Sequence, residues 1–557
     1  MRRIVLTTLL VLVACGRSEQ KKVIFIGLDG ADWQLLDRYI ADGTMPNLRK
    51  LVARGERRVL LTQHPPLSPL VWTSMMTGVS PLEHRILDFT RFNPVTRVKE
   101  PITSDERAVP AIWNMAAQQK KRAAVFGLWA TYPAEAIDGT IVSDRLFAFQ
   151  YAEPDPPAGC VSPASYEPAA KNVLRAVITS GAPAPSPALG VPSDLLSQYR
   201  RILIETETMR RLSLDRIRHD RPDLAIVYYQ GTDAIGHLFA PQFDRDDSIV
   251  RGYFASIDRI LGEYDAVATE TGTDLVIASD HGFAWFEGRP ETSSVAVETA
   301  AKWHRKEGIY LHVGRGTTPQ TLPPAHVDQI CATLLAIAGM PPATRIAPSI
   351  IPATGTPFDY RAGFRRAQAV TDTRGSREQI AQLKALGYLG GGGDNTPHGN
   401  STRTAASFNN EGLILRESGR IADAARAFQT ALEIDPQSAS ARFNLNELLQ
   451  LTIRRSADEA KAKGPDAAIA LLASVYDAAH APELLLHRGR YRLAKNDCRG
   501  GLEDFRASGL HDAIALASIG TAEACLGNRE RAIDALQRSL ALDPNQPPVR
   551  EFLRTLE

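Results

Sequence analysis

Several things are scarce in this chain, and each scarcity excludes something. Its 557 residues include five cysteines, Cys15, Cys160, Cys331, Cys498 and Cys525. They are scattered with no CxxC spacing, which argues against a thiolate-type structural zinc module. Charge of one sign is lacking as well: 64 Lys+Arg against 63 Asp+Glu leave a net charge of +1. That balance gives no reason to expect nucleic acid or an acidic partner. The apolar run that opens the chain, Ile4 to Ala14, is too short for a comfortable membrane span. What is present is a hydrophobic content of 44%, ample for globular cores, over a length that suggests roughly three or four units at most.

Met1-Arg-Arg and the apolar run after it have the form of an export signal over residues 1–14. Leu12-Val13-Ala14-Cys15-Gly16 resembles a bacterial lipobox, in which cleavage precedes a cysteine that is then lipidated. The plainer alternative is an ordinary secretory signal with an incidental Cys15. On either reading the mature chain is exported. The lipobox adds a lipid anchor at Cys15 in the bacterial cell envelope, facing the periplasm or exterior, with residues 15–20 as a tether. In that oxidising compartment Cys498 and Cys525 are the pair to expect if one forms.

Three apolar runs read as buried strands, and an acid follows each. Val23-Ile-Phe-Ile-Gly-Leu leads to Asp29, Leu224-Ala-Ile-Val-Tyr-Tyr leads to Asp233, and Asp274-Leu-Val-Ile-Ala-Ser leads to Asp280-His281-Gly282. Helical patterns separate them, notably Trp33 to Tyr39, Ser193 to His219 and Ile249 to Thr271. The alternation predicts an α/β unit over residues 21–389, a mostly parallel sheet with helices on both faces. The Pro-, Ala- and Ser-rich stretches 152–163 and 181–193 read as loops or an insertion. Residues 390–404 read as a Gly-rich linker.

Beyond the linker, residues 405–557 are helical in pattern. Gly412, Gly419, Ala424, Phe428, Ala431 and Pro436 match Gly520, Gly527, Ala532, Leu536, Ser539 and Pro544 at identical offsets. These are positions of a tetratricopeptide repeat, and roughly three repeat periods separate the copies. The spacing leaves room for degenerate repeats around Gly464 to Pro482 and Gly489 to Phe505. Such an array offers a concave surface to a protein partner.

The chemistry gathers at one sheet edge. In parallel sheets ligands bind beyond the carboxyl ends of strands, which is where Asp29, Asp233 and Asp280 fall. His237, His281 and His304 accompany them. Three carboxylates and three imidazoles suffice for two zinc ions with open positions, because zinc takes N and O donors in tetrahedral sites. Ser68, followed by Pro69, reads either as a helix N-cap or as a hydroxyl exposed at the positive end of a helix, where an anion is stabilised. A metal would activate it as a nucleophile. Lys302 and Arg305 flank His304 and are candidates either to meet substrate charge or to stand as solvated surface cations.

Gly27-Leu-Asp29-Gly30, Leu67-Ser68-Pro69, Pro81-Leu-Glu-His84, Thr232-Asp233-Ala-Ile-Gly236-His237, Ser279-Asp280-His281-Gly282 and His304 together resemble the alkaline phosphatase superfamily. The nearest branch is the type I phosphodiesterase/nucleotide pyrophosphatase family, in bacterial members with C-terminal repeats. The resemblance implies an alkaline phosphatase-like fold with two Zn2+ ions. One would be held by Asp233, His237 and His304. The other would be held by Asp29, Asp280 and His281, with Ser68 as nucleophilic ligand. Departures bear on substrate. The Asn that the nucleotide-cleaving branch carries after its nucleophile is replaced by Leu70, Val71 and Trp72, apolar groups suited to a hydrophobic ester. The x-Pro-x-Arg of sulfatases does not follow Ser68, and no Arg near Ser68 provides a monoesterase clamp.

The expectation is a metal-dependent phosphoric ester hydrolase, a phosphodiesterase or nucleotide pyrophosphatase. Its alternatives are a phosphotransferase or phosphomonoesterase on the same site, or a repeat-mediated binding protein with a vestigial catalytic unit.

Overall fold

Alternation along Val23–Leu28 (β1) divides the core in two. Val23 and Phe25 enter one apolar cluster, while Ile24, Ile26 and Leu28 enter another on the opposite face. A strand buried on both faces is what a helix-covered parallel sheet requires. Burying one such side chain is worth roughly 1.5–3 kcal/mol. The computed structural model describes residues 21–147, 155–181, 192–290, 300–368, 375–389 and 401–557. The export signal, Cys15, the tether and linker residues 390–400 lie outside the described residues.

The strands that follow β1 are Glu56–Leu61 (β2), Ala123–Phe126 (β3), Gly139–Val142 (β4), Val161–Ser162 (β5), Leu224–Tyr229 (β6), Asp274–Ala278 (β7), Glu307–Val313 (β8), Gln320–Thr321 (β9) and Ala325–His326 (β10). They form a ten-stranded sheet in the order β9-β2-β8-β7-β1-β6-β3-β4-β5, with β10 also on β2. The centre, β7-β1-β6-β3-β4, is parallel. β8 runs antiparallel to both β7 and β2, and β5 closes the far edge antiparallel to β4. The mostly parallel α/β fold is therefore present. One local expectation fails: within 152–163, Val161 and Ser162 are an edge strand because their apolar register continues the sheet.

The helices expected between strands are formed at Trp33–Ala41, Ser193–Asp220 and Ser248–Thr271. No helix among the described residues is long and apolar enough to cross a membrane.

After residue 404 the chain is all helical. Helix pairs run Ala405–Glu417 with Ile421–Ile434, Ala439–Lys463 with Pro465–Ala479, Pro482–Ala494 with Cys498–Ala507, and Ala513–Cys525 with Arg529–Leu542; Pro547–Leu556 ends the array. The repeat glycines have a packing reason. A Cβ at Gly412 would strike the Phe428 ring, at Gly489 the Phe505 ring, and at Gly520 the Leu536 side chain. Gly464 differs. Its φ of +91° places it in the turn after the long Ala439–Lys463 helix, so the glycine there serves a bend and not helix-on-helix contact. Cys498 and Cys525 are disulfide-bonded, while Cys160 and Cys331 are free and buried.

The start of the array is bound to the α/β domain. Thr404 Oγ1 donates to Asp88 Oδ2 at 2.6 Å, Asn410 Nδ2 to the Leu87 carbonyl at 2.9 Å, and the Phe92 amide to the Thr402 carbonyl at 2.7 Å. The end of the expected linker is thus pinned, since buried Asp88 needs donors.

Candidate active site

Asp29 follows β1 directly, and Gly30 after it makes a turn at φ +63°. A Cβ there would lie 3.0 Å from Asp233 Oδ1, so glycine lets the Asp29 turn approach the element that carries Asp233. Asp233 does not sit at the strand end. β6 stops at Tyr229, and Asp233 lies in the first turn of the helix Gly231–Phe239 with His237 one turn later. The i, i+4 spacing sets both on one helix face. Asp280 and His281 follow β7, and His304 opens a short strand paired with Gly282–Phe283.

Ser68 is the first residue of the helix Ser68–Thr77, with extended Leu67 as the cap. It is therefore not the N-cap. Its hydroxyl is spared capping duty and donates to Asp29 Oδ1 at 3.4 Å. Thr73 bonds back to the Pro69 carbonyl and Ser74 pairs with His84, so both are structural.

The donors form two neighbouring groups. His237 Nε2 is 3.3 Å from Asp233 Oδ2 and 3.2 Å from His304 Nε2, which is 3.5 Å from Asp233 Oδ1. In the second group His281 Nε2 is 3.4 Å from Asp29 Oδ1 and 3.4 Å from Asp280 Oδ2. A tetrahedron of donors at usual zinc distances has edges of about 3.3 Å. Asp233, His237 and His304 form one cluster of metal-compatible spacing, and Asp29, Asp233 and His281 form the other. Asp233 thus faces both positions, one more than the sequence implied. Asp280 falls outside the second cluster but touches its edge through His281.

Three buried atoms here, Asp233 Oδ1, Asp280 Oδ2 and His281 Nε2, have no hydrogen-bond partner among the described residues. Leaving such groups unsatisfied costs roughly 1–3 kcal/mol each, more when charged. The imidazoles are also oriented. His281 Nδ1 donates to the Gly282 carbonyl at 3.0 Å and His304 Nδ1 to the Pro66 carbonyl at 2.7 Å. In each neutral ring the Nε2 lone pair then points into the cluster, the arrangement metal-ligating histidines use. The donor set fits divalent cations.

Electrostatics agree. Burial, then the Asp29 charge, hold the Asp280 carboxyl well above its ordinary range. Burial opposes a charge on His281, yet Asp280 and Asp29 push it up to about 10. Burial and then His281 hold His304 well below its usual value. Without a cation, Asp280 and His281 recruit protons instead.

The family model for type I phosphodiesterase / nucleotide pyrophosphatase matches residues 23–337. The chain belongs to that family. A tetratricopeptide-repeat model matches residues 405–438. Among solved structures the chain is similar to phosphonoacetate hydrolase from Sinorhizobium meliloti 1021. Against its complex with phosphonoformate, identity is 17% and the TM-score 0.31, covering 48% of this chain and 57% of that one. Against its complex with phosphonoacetate the values are 18%, 0.30, 48% and 57%. The match thus spans little more than half the length of those structures. No curated protein matches the chain.

For a type I phosphodiesterase family member, several site residues were not evident from sequence. Trp72 Nε1 donates to Asp29 Oδ2 at 3.2 Å, and the Tyr228 hydroxyl donates to the same oxygen. Leu70, Val71 and Trp72 are fully buried, so they steady Asp29 and the core instead of lining a hydrophobic substrate site. Arg305 pairs with buried Asp32 at 2.8 Å and with Glu307 at 3.2 Å, which commits its charge within the protein. Lys302 is exposed and lines a cavity of about 840 Å³ that also touches Pro66, Leu67, Lys99 and the first repeat. The most consequential addition is Tyr388. Its hydroxyl donates to Asp233 Oδ2 at 2.6 Å and lies 2.9 Å from His237 Nε2 and 3.3 Å from His304 Nε2. A lone tyrosine ahead of a glycine run carries no ligand spacing. The only signal was its apolar setting, Leu386-Gly-Tyr388-Leu389, in an otherwise polar tail.

Proposed function

We propose that this protein is a metal-dependent hydrolase of phosphate esters, diesters in preference to monoesters, with Ser68 as nucleophile. The observation that carries the reading is the convergence of two donor groups with tetrahedral edge lengths on one sheet edge, with Ser68 Oγ 3.4 Å from Asp29 Oδ1. Asp233, His237 and His304 would hold one divalent ion; Asp29 and His281, with Asp280 at their edge and beside Ser68, would hold the other, and Asp233 faces both. Nitrogen and oxygen donors without thiolate suit zinc. Bound ions would lower the pKa of the serine hydroxyl and offset charge on the phosphoryl group.

Ser68 Oγ attacks phosphorus, the bond to the departing ester oxygen breaks, and the serine proton ends on that oxygen, giving a phosphoseryl ester and the free alcohol. Water then cleaves the Ser68–phosphorus bond and restores the hydroxyl. Trp72 and Tyr228 hold Asp29 in place throughout. Two features favour diesters: the sequence around Ser68 lacks an arginine to meet a doubly charged monoester, and the adjacent cavity leaves room for a second ester group. We further infer export with lipid attachment at Cys15, on the sequence pattern alone, and a protein partner for the repeats.

The test is a panel of mono-, di- and nucleotide esters offered to the zinc-loaded protein. Diester turnover at least tenfold above monoester supports the reading. Monoester preference, or transfer to an added alcohol in place of hydrolysis, would replace it with one of the rival chemistries.

A further inference from the structure

Tyr388 stands where a fourth donor of the first group belongs. Asp233, His237 and His304 supply three corners, and the tyrosine hydroxyl lies 2.6–3.3 Å from an atom of each. The placement is built. The ring packs on Phe89 at 4.5 Å between centroids, and Phe89 adjoins Asp88, the residue that accepts from Thr404 of the first repeat. Tyr388 also forms part of the wall of the 840 Å³ cavity. It therefore touches both that cavity and the first donor group.

We propose that Tyr388 is the fourth protein donor to the cation position of Asp233, His237 and His304, and that the docked repeat holds it there. The inference rests on the two-metal reading above. In the apo protein the hydroxyl proton is shared with Asp233 Oδ2; ligation by the phenolate would release that proton to solvent. Catalytic metal sites keep one position open, whereas closed sites fill all four corners. With Tyr388 in place the first position is of the closed kind, and a substrate oxygen reaches it only after the tyrosine moves aside.

The test uses the full chain, stripped of metal and reloaded. In the wild type, Fe3+ should give the visible tyrosinate-to-iron charge-transfer band, absent from Tyr388→Phe, which keeps the ring against Phe89. In a Co2+ titration, Tyr388→Phe should lose roughly tenfold or more affinity at one of two positions, since even groups that only hydrogen-bond to a metal's ligands cost about that much when removed. A wild-type protein with no charge-transfer band, and equal Co2+ affinities in both proteins, would overturn the assignment while leaving the two-metal reading intact. A wild type that binds no Co2+ at all would overturn both.

Discussion

His281 Nε2 stands 3.4 Å from Asp29 Oδ1 in a fully buried setting, and no hydrogen bond among the described residues uses it. The ring cannot turn to find another partner because its Nδ1–H is held by the Gly282 carbonyl. The stacked ring of His304, 3.7 Å away between centroids, adds a second imidazole from the other donor group. Two such rings, each held at Nδ1 so that Nε2 faces carboxylates, are costly to assemble unless a cation or a proton joins them.

Metal content follows from this. The wild type should carry two divalent ions per chain by elemental analysis. His281→Ala should retain one, with diester turnover lower by roughly a hundredfold or more. An unchanged metal count in that variant would remove His281 from the ligand set.

Stability should depend on pH through His84. It is buried, its Nδ1 accepts from the Ile86 amide at 3.1 Å, and its Nε2 lies 3.0 Å from Ser74 Oγ. Burial, helped by Arg107, pushes its pKa down to about 3 from 6.5. Between those values the unfolded chain binds the extra proton, so stability is lost as pH falls below 6.5. The slope is about 1.4 kcal/mol per pH unit from this group. Urea unfolding at pH 7.5 and 5.5 should show the loss in the wild type and a flatter response in His84→Gln, which starts out less stable. Equal slopes would mean that His84 does not carry the acid sensitivity.

The repeats should be less separable than a flexible linker suggests. Thr404→Val removes a hydrogen bond to the buried Asp88 carboxyl, and bonds to charged groups are worth roughly 1.5–3 kcal/mol. A chain ending at Leu389 removes all three tethers at Leu87, Asp88 and Phe92. We expect its α/β domain to melt several degrees lower than in the full chain. A matching melting temperature would show that the repeats are independent.

Much of this site was legible because apolar runs and acids announce themselves. Asp29, Asp280 and His281 follow strands that only a buried parallel sheet explains, and Gly412 and Gly520 mark helices in close contact at fixed offsets. What escaped notice depends on distance in space. Asp233 faces both donor groups because Gly30 lets the Asp29 turn approach the helix Gly231–Phe239, which no spacing encodes. For Ser68 the sequence leaves a cap and an exposed nucleophile both open, because Ser-Pro at a helix start suits either; Leu67, extended, takes the cap position. Tyr388 comes from 84 residues beyond His304 and has no neighbour in sequence with a ligand's chemistry. For Arg305 the sequence leaves substrate charge or solvent as its partner, because Asp32, which it pairs with, lies far off in the chain.

The proposed chemistry turns on Ser68. Ser68→Ala should lower turnover of bis(p-nitrophenyl) phosphate by roughly a thousandfold or more, while His237, His281 and the fold keep both metals bound. Loss of turnover with two metals retained is the predicted result. Turnover at the wild-type rate in the metal-loaded Ser68→Ala protein would contradict the nucleophile and, with it, the phosphoseryl route.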